Sequence, residues 1–317
     1  MPGCNSVPCT SSSSSAGMVA RWASPALSPQ VLLTGTRAFR HGECLILWRV
    51  AGNLALVVGE PLGPPASRAA ATNAFAGTVH KEGRTPVFLQ VSGDHVTSTP
   101  GIRTWKIGEE AVIPLNGFSL SGNARKTLRQ SRARLLRRGY TTRILELPIP
   151  DCTLDELAEV SRAWVRDKRL PEIRFGIGHF DRDWLRAHPT AVAFSPSGRM
   201  EAFATLTGSP ESGTGGFDML RYLPDAPSSV LEFLVTETLL AWQREGRHTA
   251  SLGLAPLAGT GRGGRWLARA VSPLYAAPGL RRFKHKFGPR WEPRHAAAAT
   301  PTATPSAVLP ALRAFLF

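Results

Sequence analysis

The fold is decided by residues 200–252, which read MEAFATLTGSPESGTGGFDMLRYLPDAPSSVLEFLVTETLLAWQREGRHTASL. Met200–Thr207 and Gly216–Arg221 are short, mostly apolar runs bounded by turn residues, so both are predicted to be strands. Val230–Glu245 repeats apolar residues at helical spacing and is followed by a glycine, which predicts a helix and its end. Thr249–Leu252 is a further predicted strand. This succession predicts a sheet covered by a helix.

Strand and helix patterns alternate through the rest of the chain as well. The other predicted strands are Cys44–Val50, Leu54–Gly59, Pro86–Val91, Ala111–Pro114, Thr141–Leu147 and Thr190–Phe194, and the other helices are Ala69–Glu82, Asn123–Arg138 and Thr153–Lys168. We therefore predict an α/β (α+β) chain of two similar halves, each with a mixed central sheet flanked by helices. The predicted segments are a disordered tail at 1–26, an N-terminal half at 27–150, a C-terminal catalytic half at 151–296, and an irregular tail with a short apolar end at 297–317.

The charge balance narrows the class of partner. The 317 residues include 38 Lys+Arg and 23 Asp+Glu, a formal net charge of +15. Such an excess favours nucleic acid or an anionic membrane surface as the partner, because guanidinium groups pair well with phosphate oxygens. The four cysteines show no metal-ligand spacing, so we expect a reducing cytoplasm and no metal site.

The predicted helix Asn123–Arg138 is strongly basic and has no acidic residue. Helical spacing places Arg125, Arg129 and Arg132 on one side, with Lys126 beside them. Like charges four residues apart destabilise a helix slightly, a cost that a bound polyanion would offset. We predict that these four residues bind tRNA or lipid phosphates, the alternative being an ordinary solvated face.

A second basic segment ends in Phe283–Trp291. If it is extended, Lys284 and Lys286 lie on one face of a strand and could clamp a phosphate or a carbonyl oxygen. Arg290 is a further predicted phosphate ligand. The alternative is an edge segment with ordinary exposed lysines.

The predicted strand Gly216–Arg221 contains two charged residues, Asp218 and Arg221. Buried charges are costly unless they are paired or used. Asp218 could therefore bind an amino group or accept a proton from an attacking hydroxyl. A purely structural ion pair is the alternative.

Several of these segments, taken in order, resemble the C-terminal catalytic domain of phosphatidylglycerol lysyltransferases, the aminoacyl-phosphatidylglycerol synthases. The resemblance covers about Val31–His295. Its motifs are Gly59-Glu60-Pro61, Lys106–Ala111 (KIGEEA), Arg125-Lys126-x-Leu128-Arg129, Arg138-Gly139-Tyr140, Asp218–Tyr222 (DMLRY), Phe283-Lys284-x-Lys286-Phe287 and Trp291-Glu292-Pro293-Arg294.

The resemblance implies two tandem acetyltransferase-like (GNAT-type) halves and transfer of an amino acid from aminoacyl-tRNA to a membrane lipid hydroxyl, that of phosphatidylglycerol or a similar lipid. Carried over by motif, Asp218 and Arg221 line the aminoacyl and acceptor site, and Lys284 and Lys286 lie at the tRNA terminus or the lipid phosphate. Whether Asp218 acts as a base or binds the α-ammonium group stays open.

An aminoacyl ester is already activated, so we expect aminoacyl-tRNA as co-substrate and no metal or bound cofactor. Full-length family members carry a membrane-spanning flippase, whereas no apolar run here reaches the roughly 18–20 residues that a span needs. The expected location is cytoplasmic, peripheral to the inner face of the membrane.

Three other functions remain possible on the sequence alone: an aminoacyl-tRNA-dependent transferase with a non-lipid acceptor, an acyl-CoA-dependent N-acyltransferase, and a non-enzymatic RNA- or membrane-binding protein. The acyl-CoA alternative would need a glycine-rich loop opening a helix, and the helices at Asn123 and Val230 lack one.

Overall fold

The computed structural model describes residues 13–168, 178–260 and 277–298, which fall into two compact units. The first unit contains the described residues of Met1–Glu110, Leu254–Ala277 and Glu292–Phe317. The second contains those of Ala111–Gly253 and Pro278–Trp291.

The first unit is a sheet with helices packed on it. Its strands are β1 (Arg37–His41), β2 (Cys44–Ala51), β3 (Leu54–Val58), β4 (Thr85–Ser92), β5 (Arg103–Pro114) and β11 (Arg290–Ala298), and its helices are α1 (Ser13–Trp22), α2 (Pro29–Leu33), α3 (Pro65–Lys81) and α4 (Gly93–Ser98). The strand order is β1-β2-β3-β4-β11-β5, with β3 and β4 parallel. Phe75 of α3 lies at the centre of its core, edge-on to Phe39, Trp48 and Phe88 at centroid distances of 5.4, 5.5 and 5.9 Å.

The second unit has a comparable plan. Its elements are a 3-10 turn (Asn123–Arg125), α5 (Lys126–Arg137), β6 (Thr141–Ile144), α6 (Asp151–Lys168), α7 (Arg182–Arg186), β7 (Thr190–Phe194), β8 (Met200–Thr207), β9 (Thr214–Tyr222), α8 (Val230–Arg244), β10 (Thr249–Pro256) and α9 (Ala277–His285). The end of β5, Ala111–Pro114, also belongs to this unit, and the strand order here is β5-β10-β9-β8-β7-β6. β9 and β10 are parallel, whereas β6 to β9 pair antiparallel in succession.

Two apolar clusters cover the two faces of this second sheet. One joins Leu154, Leu157 and Val160 of α6 to Met219 of β9, and we call its side the α6 face. The other joins α8 to Phe217 of β9, and we call its side the α8 face. The two clusters alternate along β7, where Ala191 and Ala193 lie on the α8 face and Val192 on the α6 face. The period-two pattern of a strand therefore fixes which side chains reach which helix.

The prediction of an α/β chain with two halves, each built on a mixed sheet flanked by helices, is confirmed. The strands predicted at Thr190–Phe194 and Met200–Thr207 have the predicted bounds. The short strand predicted at Ala111–Pro114 is the end of the longer β5, and the helix predicted at Asn123–Arg138 begins with a 3-10 turn.

Two predicted boundaries differ from the structure. The contiguous halves 27–150 and 151–296 do not coincide with the compact units, because the chain returns to the first unit after Gly253 and again in β11. The disordered tail predicted at 1–26 is wrong for residues 13–22, which form α1 and bury Val19. Residues 1–12 lie outside the described residues. The irregular tail predicted at 297–317 is wrong for Ala297 and Ala298, which end β11, and its remaining residues lie outside the described ones.

The half-buried histidine His188, which follows α7, predicts a pH-dependent stability. Its ring stacks on Trp184 at a centroid distance of 5.4 Å, and burial lowers the pKa of His188 from 6.5 to about 4. The unfolded chain binds this proton near pH 6.5, so the stabilisation is complete above that pH and is lost as the pH falls towards 4. The expected loss is about 3 kcal/mol of unfolding free energy across that range.

Urea unfolding at pH 7 and pH 4.5 measures this loss. His188→Gln should remove most of the difference between the two pH values, whereas the matched change at the exposed His80 should leave it intact. The unfolding free energy of His188→Gln should still depend somewhat on pH, because burial also lowers the pKa of His95 and His295. If His188→Gln showed the same pH dependence of unfolding free energy as the parent protein, His188 would not be its cause.

Candidate active site

A β-bulge in β9 lies at the centre of the second unit. Phe217 pairs with Leu206 of β8 and Leu220 pairs with Ala204, so β9 carries one residue more than β8 over this stretch. At this bulge the Met219 backbone N–H donates to the Thr205 hydroxyl of β8 at 2.9 Å. Bulges of this kind commonly redirect a side chain next to a functional site.

The bulge brings Asp218 and Arg221 to the same face of the sheet. In a regular strand, residues three apart point to opposite faces. Here Asp218 accepts a hydrogen bond from the Gly178 N–H at 2.8 Å, just ahead of Phe180, which packs on the α6 face. Arg221 reaches the Ser161 hydroxyl of α6 on that same face. The carboxylate and the guanidinium are therefore both directed towards α6.

Arg221 is held in a defined orientation by α6. Its side chain is buried, and its guanidinium carbon lies 5.4 Å from the centre of the Trp164 ring. Ser161 and Trp164 are three residues apart on α6, so both face β9. One turn further along α6, the ammonium of Lys168 lies 5.2 Å from the centre of the Tyr222 ring. A buried cation fixed by a hydroxyl and an aromatic face is a pre-organised electrostatic group.

The parallel pairing of β9 with β10 ends next to the bulge. Their paired register runs only from Thr214/Thr249 to Gly216/Ser251. Asp218 and Gly253 each lie two residues beyond the last pair. Gly253 has a positive φ of 75°, and a β-carbon placed on it would lie 3.8 Å from the ammonium of Lys284. The end of the paired region thus has the Asp218 carboxylate on one strand and the buried Lys284 ammonium beside the other.

The extended conformation considered for Phe283–Trp291 is wrong for residues 283–285, which are helical, and is confirmed only for Arg290 and Trp291, which begin β11. Residues up to His285 belong to α9, where Phe283 lies four residues before Phe287 and their rings pack at a centroid distance of 5.4 Å. Both rings join the apolar cluster of the α8 face, so helical spacing decided the local structure. Lys284 and Lys286 therefore do not form a clamp on one face of a strand. Lys286 makes an ion pair with Glu232 in the first turn of α8.

The basic helix has internal partners for several of its predicted phosphate ligands. Arg132 pairs with Glu237 of α8, and Arg129 donates to the carbonyl of Gly122 at 3.1 Å. Arg125 donates to the carbonyl of Lys286 at 3.2 Å. Lys126 is exposed on α5, and Arg290 is exposed at the start of β11.

Several residues of this site were not predicted from the sequence, among them Thr205, Trp164 and Glu232. Thr205 is one of many apolar or small residues in β8, and Trp164 is one of several large residues in α6. Only Glu232 gave a signal, as an acidic residue in the first turn of a helix, which ordinarily indicates helix stabilisation.

Thr205 provides a test of the bulge. Thr205→Val keeps the shape of the side chain but leaves the buried Met219 N–H without its acceptor, at a cost of about 1–3 kcal/mol in unfolding free energy. Thr205→Ser restores the acceptor and should recover most of that stability. Chemical denaturation of the three proteins measures both effects. Equal losses of unfolding free energy in Thr205→Val and Thr205→Ser would mean that side-chain packing, not the hydrogen bond, stabilises the bulge.

The loop between β9 and α8 disfavours a diphosphate-containing ligand. The loop is Leu223–Ser229, and it contains no glycine. Asp225 within it pairs with Arg199 at 2.8 Å, and Glu232 occupies the first turn of the following helix. A pyrophosphate at this helix N-terminus would meet carboxylates rather than backbone N–H groups in a glycine-rich loop.

Metal-binding and membrane-spanning features were sought over residues 13–168, 178–260 and 277–298. Within these ranges, no three His, Cys, Asp or Glu side chains converge as metal ligands would. No helix in the same ranges combines the length and apolar character needed to cross a bilayer.

The structure defines a chain of two α/β units, and comparison with known proteins assigns its family. Residues 19–298 match the family described as phosphatidylglycerol lysyltransferase, C-terminal. The chain belongs to this family.

Individual relatives agree with that assignment. The phosphatidylglycerol lysyltransferase of Bacillus subtilis (strain 168) is 30% identical over 267 residues, and that of Staphylococcus xylosus is 29% identical over 264. These matches cover 81% and 80% of this chain but only 31% of each relative, so the chain spans about a third of their length.

Solved structures share the fold over nearly the whole chain. The structure of L-PGS from Bacillus licheniformis superposes with a TM-score of 0.84 at 27% identity, covering 95% of this chain and 96% of that one. A C-terminal domain assigned to lysylphosphatidylglycerol synthetase from Agrobacterium fabrum gives 0.81 at 28% identity, covering 94% and 93%. FemX, at 10% identity and a TM-score of 0.60, shares the fold alone.

Proposed function

We propose that this chain transfers an aminoacyl group from aminoacyl-tRNA to a hydroxyl of an anionic glycerophospholipid, with phosphatidylglycerol as the acceptor. The family assignment supports this reaction class, and the net charge of +15 suits two polyanionic partners. The protein would work at the membrane surface as a peripheral catalyst.

The observation that carries the proposal is the joint placement of Asp218 and Arg221 on the α6 face. The Gly178 N–H donates to the Asp218 carboxylate at 2.8 Å, which fixes the orientation of that carboxylate. A fixed carboxylate is a suitable ligand for the α-ammonium group that every aminoacyl ester carries. We propose that Asp218 binds that ammonium group and that Arg221 supplies a fixed positive charge in the site.

The reaction exchanges one ester for another. The lipid hydroxyl oxygen bonds to the aminoacyl carbonyl carbon, and the bond from that carbon to the terminal ribose oxygen of tRNA breaks. The proton lost by the lipid hydroxyl is matched by the proton gained by the ribose oxygen. Negative charge develops on the carbonyl oxygen in between, and a buried cation stabilises such a charge.

We propose that the ammonium group of Lys284 stabilises the negative charge that develops on the carbonyl oxygen, or binds an adjoining phosphate. It is buried beside Gly253, where β9 and β10 cease to pair. Because the ester is already activated, positioning and charge stabilisation suffice, and we propose that no resident metal or cofactor takes part. Dialysis against a chelator should leave the rate unchanged.

A transfer assay tests the proposal. The full chain would be incubated with phosphatidylglycerol vesicles and a pool of tRNAs charged with radiolabelled amino acids, and label in the lipid fraction would be counted. We expect RNase-sensitive labelling of the lipid, and the labelled amino acid identifies the donor. Phosphatidylcholine vesicles, which lack the glycerol headgroup hydroxyls, serve as the matched control.

The alternatives give different results. Loss of charged tRNA that requires a cell extract but leaves the lipid unlabelled would indicate a non-lipid acceptor. Labelling from acetyl-CoA would indicate an acyl-CoA-dependent enzyme. Absence of any transfer by a protein that still binds tRNA or vesicles would leave a binding protein.

A further inference from the structure

Exposed aliphatic side chains are concentrated in one short part of the described chain. Among the described residues, the large hydrophobic side chains left exposed are Val50, Leu136, Ile144 and Leu147. Three of these four lie between residues 136 and 147, from the last turn of α5 to just past β6. Single exposed aliphatics are ordinary, but a group of them indicates an interaction surface.

The exposed aliphatic on α5 is surrounded by cations. Leu128, Ser131 and Leu135 form the buried side of this helix. Leu136 lies away from that side, and Arg132 and Arg129 precede it by four and seven residues, which places all three on one stripe. Arg137 is exposed next to it.

Ile144 lies on the face of the sheet where α5 packs. Its neighbour Leu145 belongs to the cluster of the α6 face, and the guanidinium of Arg143 lies over the ring of Phe194, which packs on that same cluster. Strand alternation therefore directs Ile144 to the opposite, α8 face. α5 packs against α8, and β6 is the last strand in the order of this sheet. The exposed parts of α5 and β6 therefore both lie on the α8 side of the second unit, and we call them together the α5–β6 surface.

The charge of this surface is of one sign. Residues 117–145 contain eight Arg or Lys and no Asp or Glu, and Glu146 follows immediately. Cations interspersed with aliphatic side chains suit the interface of an anionic bilayer, where the aliphatics enter the acyl boundary and the cations contact headgroups. Proteins that bind single-stranded RNA instead use aromatic side chains for stacking on bases, and α5 has none.

We propose that the α5–β6 surface docks the protein on an anionic phospholipid bilayer, with Leu136 and Ile144 inserting and Arg137 contacting headgroups. The proposal rests on the proposed function only in the choice of lipid. It separates two roles: the α5–β6 surface holds the protein to the bilayer, and the Asp218 site carries out the reaction.

Vesicle flotation with the full chain tests the docking. Wild type should bind vesicles of equal phosphatidylglycerol and phosphatidylcholine, should not bind pure phosphatidylcholine, and should be released by 0.5 M salt. The double variant Leu136→Ser/Ile144→Ser should bind roughly tenfold more weakly, because two partly inserted aliphatics are lost. Arg137→Gln should weaken binding roughly fivefold.

The chain offers matched controls. Val50 on β2 is 39% exposed, as is Ile144, so Val50→Ser removes an equally exposed aliphatic from the first unit. Lys81→Gln removes an exposed cation of α3. Neither control should change vesicle binding, and unfolding curves would verify that all variants are folded.

The outcomes separate docking from catalysis. Transfer to phosphatidylglycerol dispersed in detergent micelles should be unchanged in the Leu136/Ile144 variant, because docking on a bilayer is no longer needed. Failure of wild type in that micelle assay would refute the proposed function and leave the docking result intact. Vesicle binding unaffected by the double variant, or a loss of tRNA binding in its place, would overturn the docking proposal.

Discussion

Asp218→Asn should lower kcat/KM for aminoacyl transfer at least roughly a hundredfold, because a half-buried, fixed carboxylate that binds a substrate ammonium group contributes several kcal/mol. The amide keeps the size of the side chain and can still accept the Gly178 hydrogen bond, so the fold should be retained. What is lost is the negative charge.

The measurement is the lipid-transfer assay with saturating vesicles and varied aminoacyl-tRNA. Asp225→Asn is the matched control, since it removes an exposed carboxylate shortly after β9 whose partner is Arg199. Near-normal transfer by a folded Asp218→Asn protein would remove Asp218 from the site. A loss of similar size in Asp225→Asn would mean that charge in this region acts non-specifically.

The second large effect is expected on stability, at the buried pair formed by Glu110 of β5 and Arg294 of β11. Arg294 Nε lies 2.6 Å from Glu110 Oε2, and Glu110 is 2% exposed. Arg294→Met leaves the carboxylate buried without this partner and should lower the unfolding free energy by about 3–5 kcal/mol. Thermal and urea unfolding measure the loss.

The double variant Glu110→Gln/Arg294→Met tests the cause. Replacing both charges removes the uncompensated carboxylate, so the double variant should be more stable than Arg294→Met alone. Arg84→Met, which breaks the looser and more exposed pair with Glu82, should change stability little. A double variant that is less stable than the single one would show that packing of the Arg294 side chain, rather than its charge, is what matters.

The sequence predicted Asp218 and Arg221 as a functional pair because two charges in an apolar strand are costly unless used. It could not predict how they act together, since regular alternation would direct them to opposite faces. That information lies in the pairing of β9 with β8, where one residue more on β9 changes the direction of Asp218. Register between strands depends on contacts distant in sequence.

The conformation of the second basic segment could not be predicted for a different reason. Phe283–Trp291 is short, and alternating cations and aromatics fit either a strand or the end of a helix. Phe283 and Phe287 pack on the cluster of the α8 face, and this tertiary contact decides for the helix. The basic helix itself was predicted correctly, but its partner Glu237 lies about a hundred residues away in α8, beyond what local spacing reveals.

Because of the bulge in β9, the change that would make strand pairing more regular is also one that would harm activity. Deleting one residue at the bulge, for example Met219, would let β9 pair regularly with β8 and would satisfy the backbone without help from Thr205. Such a protein would have regular strand pairing throughout, but Asp218 and Arg221 would be two residues apart rather than three, still on one face of the sheet and closer along the strand by roughly 3 Å. A displacement of that size in a catalytic site is expected to cost most of the activity. Selection for thermal stability alone would therefore lose the additional residue, and only a screen that reports transfer would keep it.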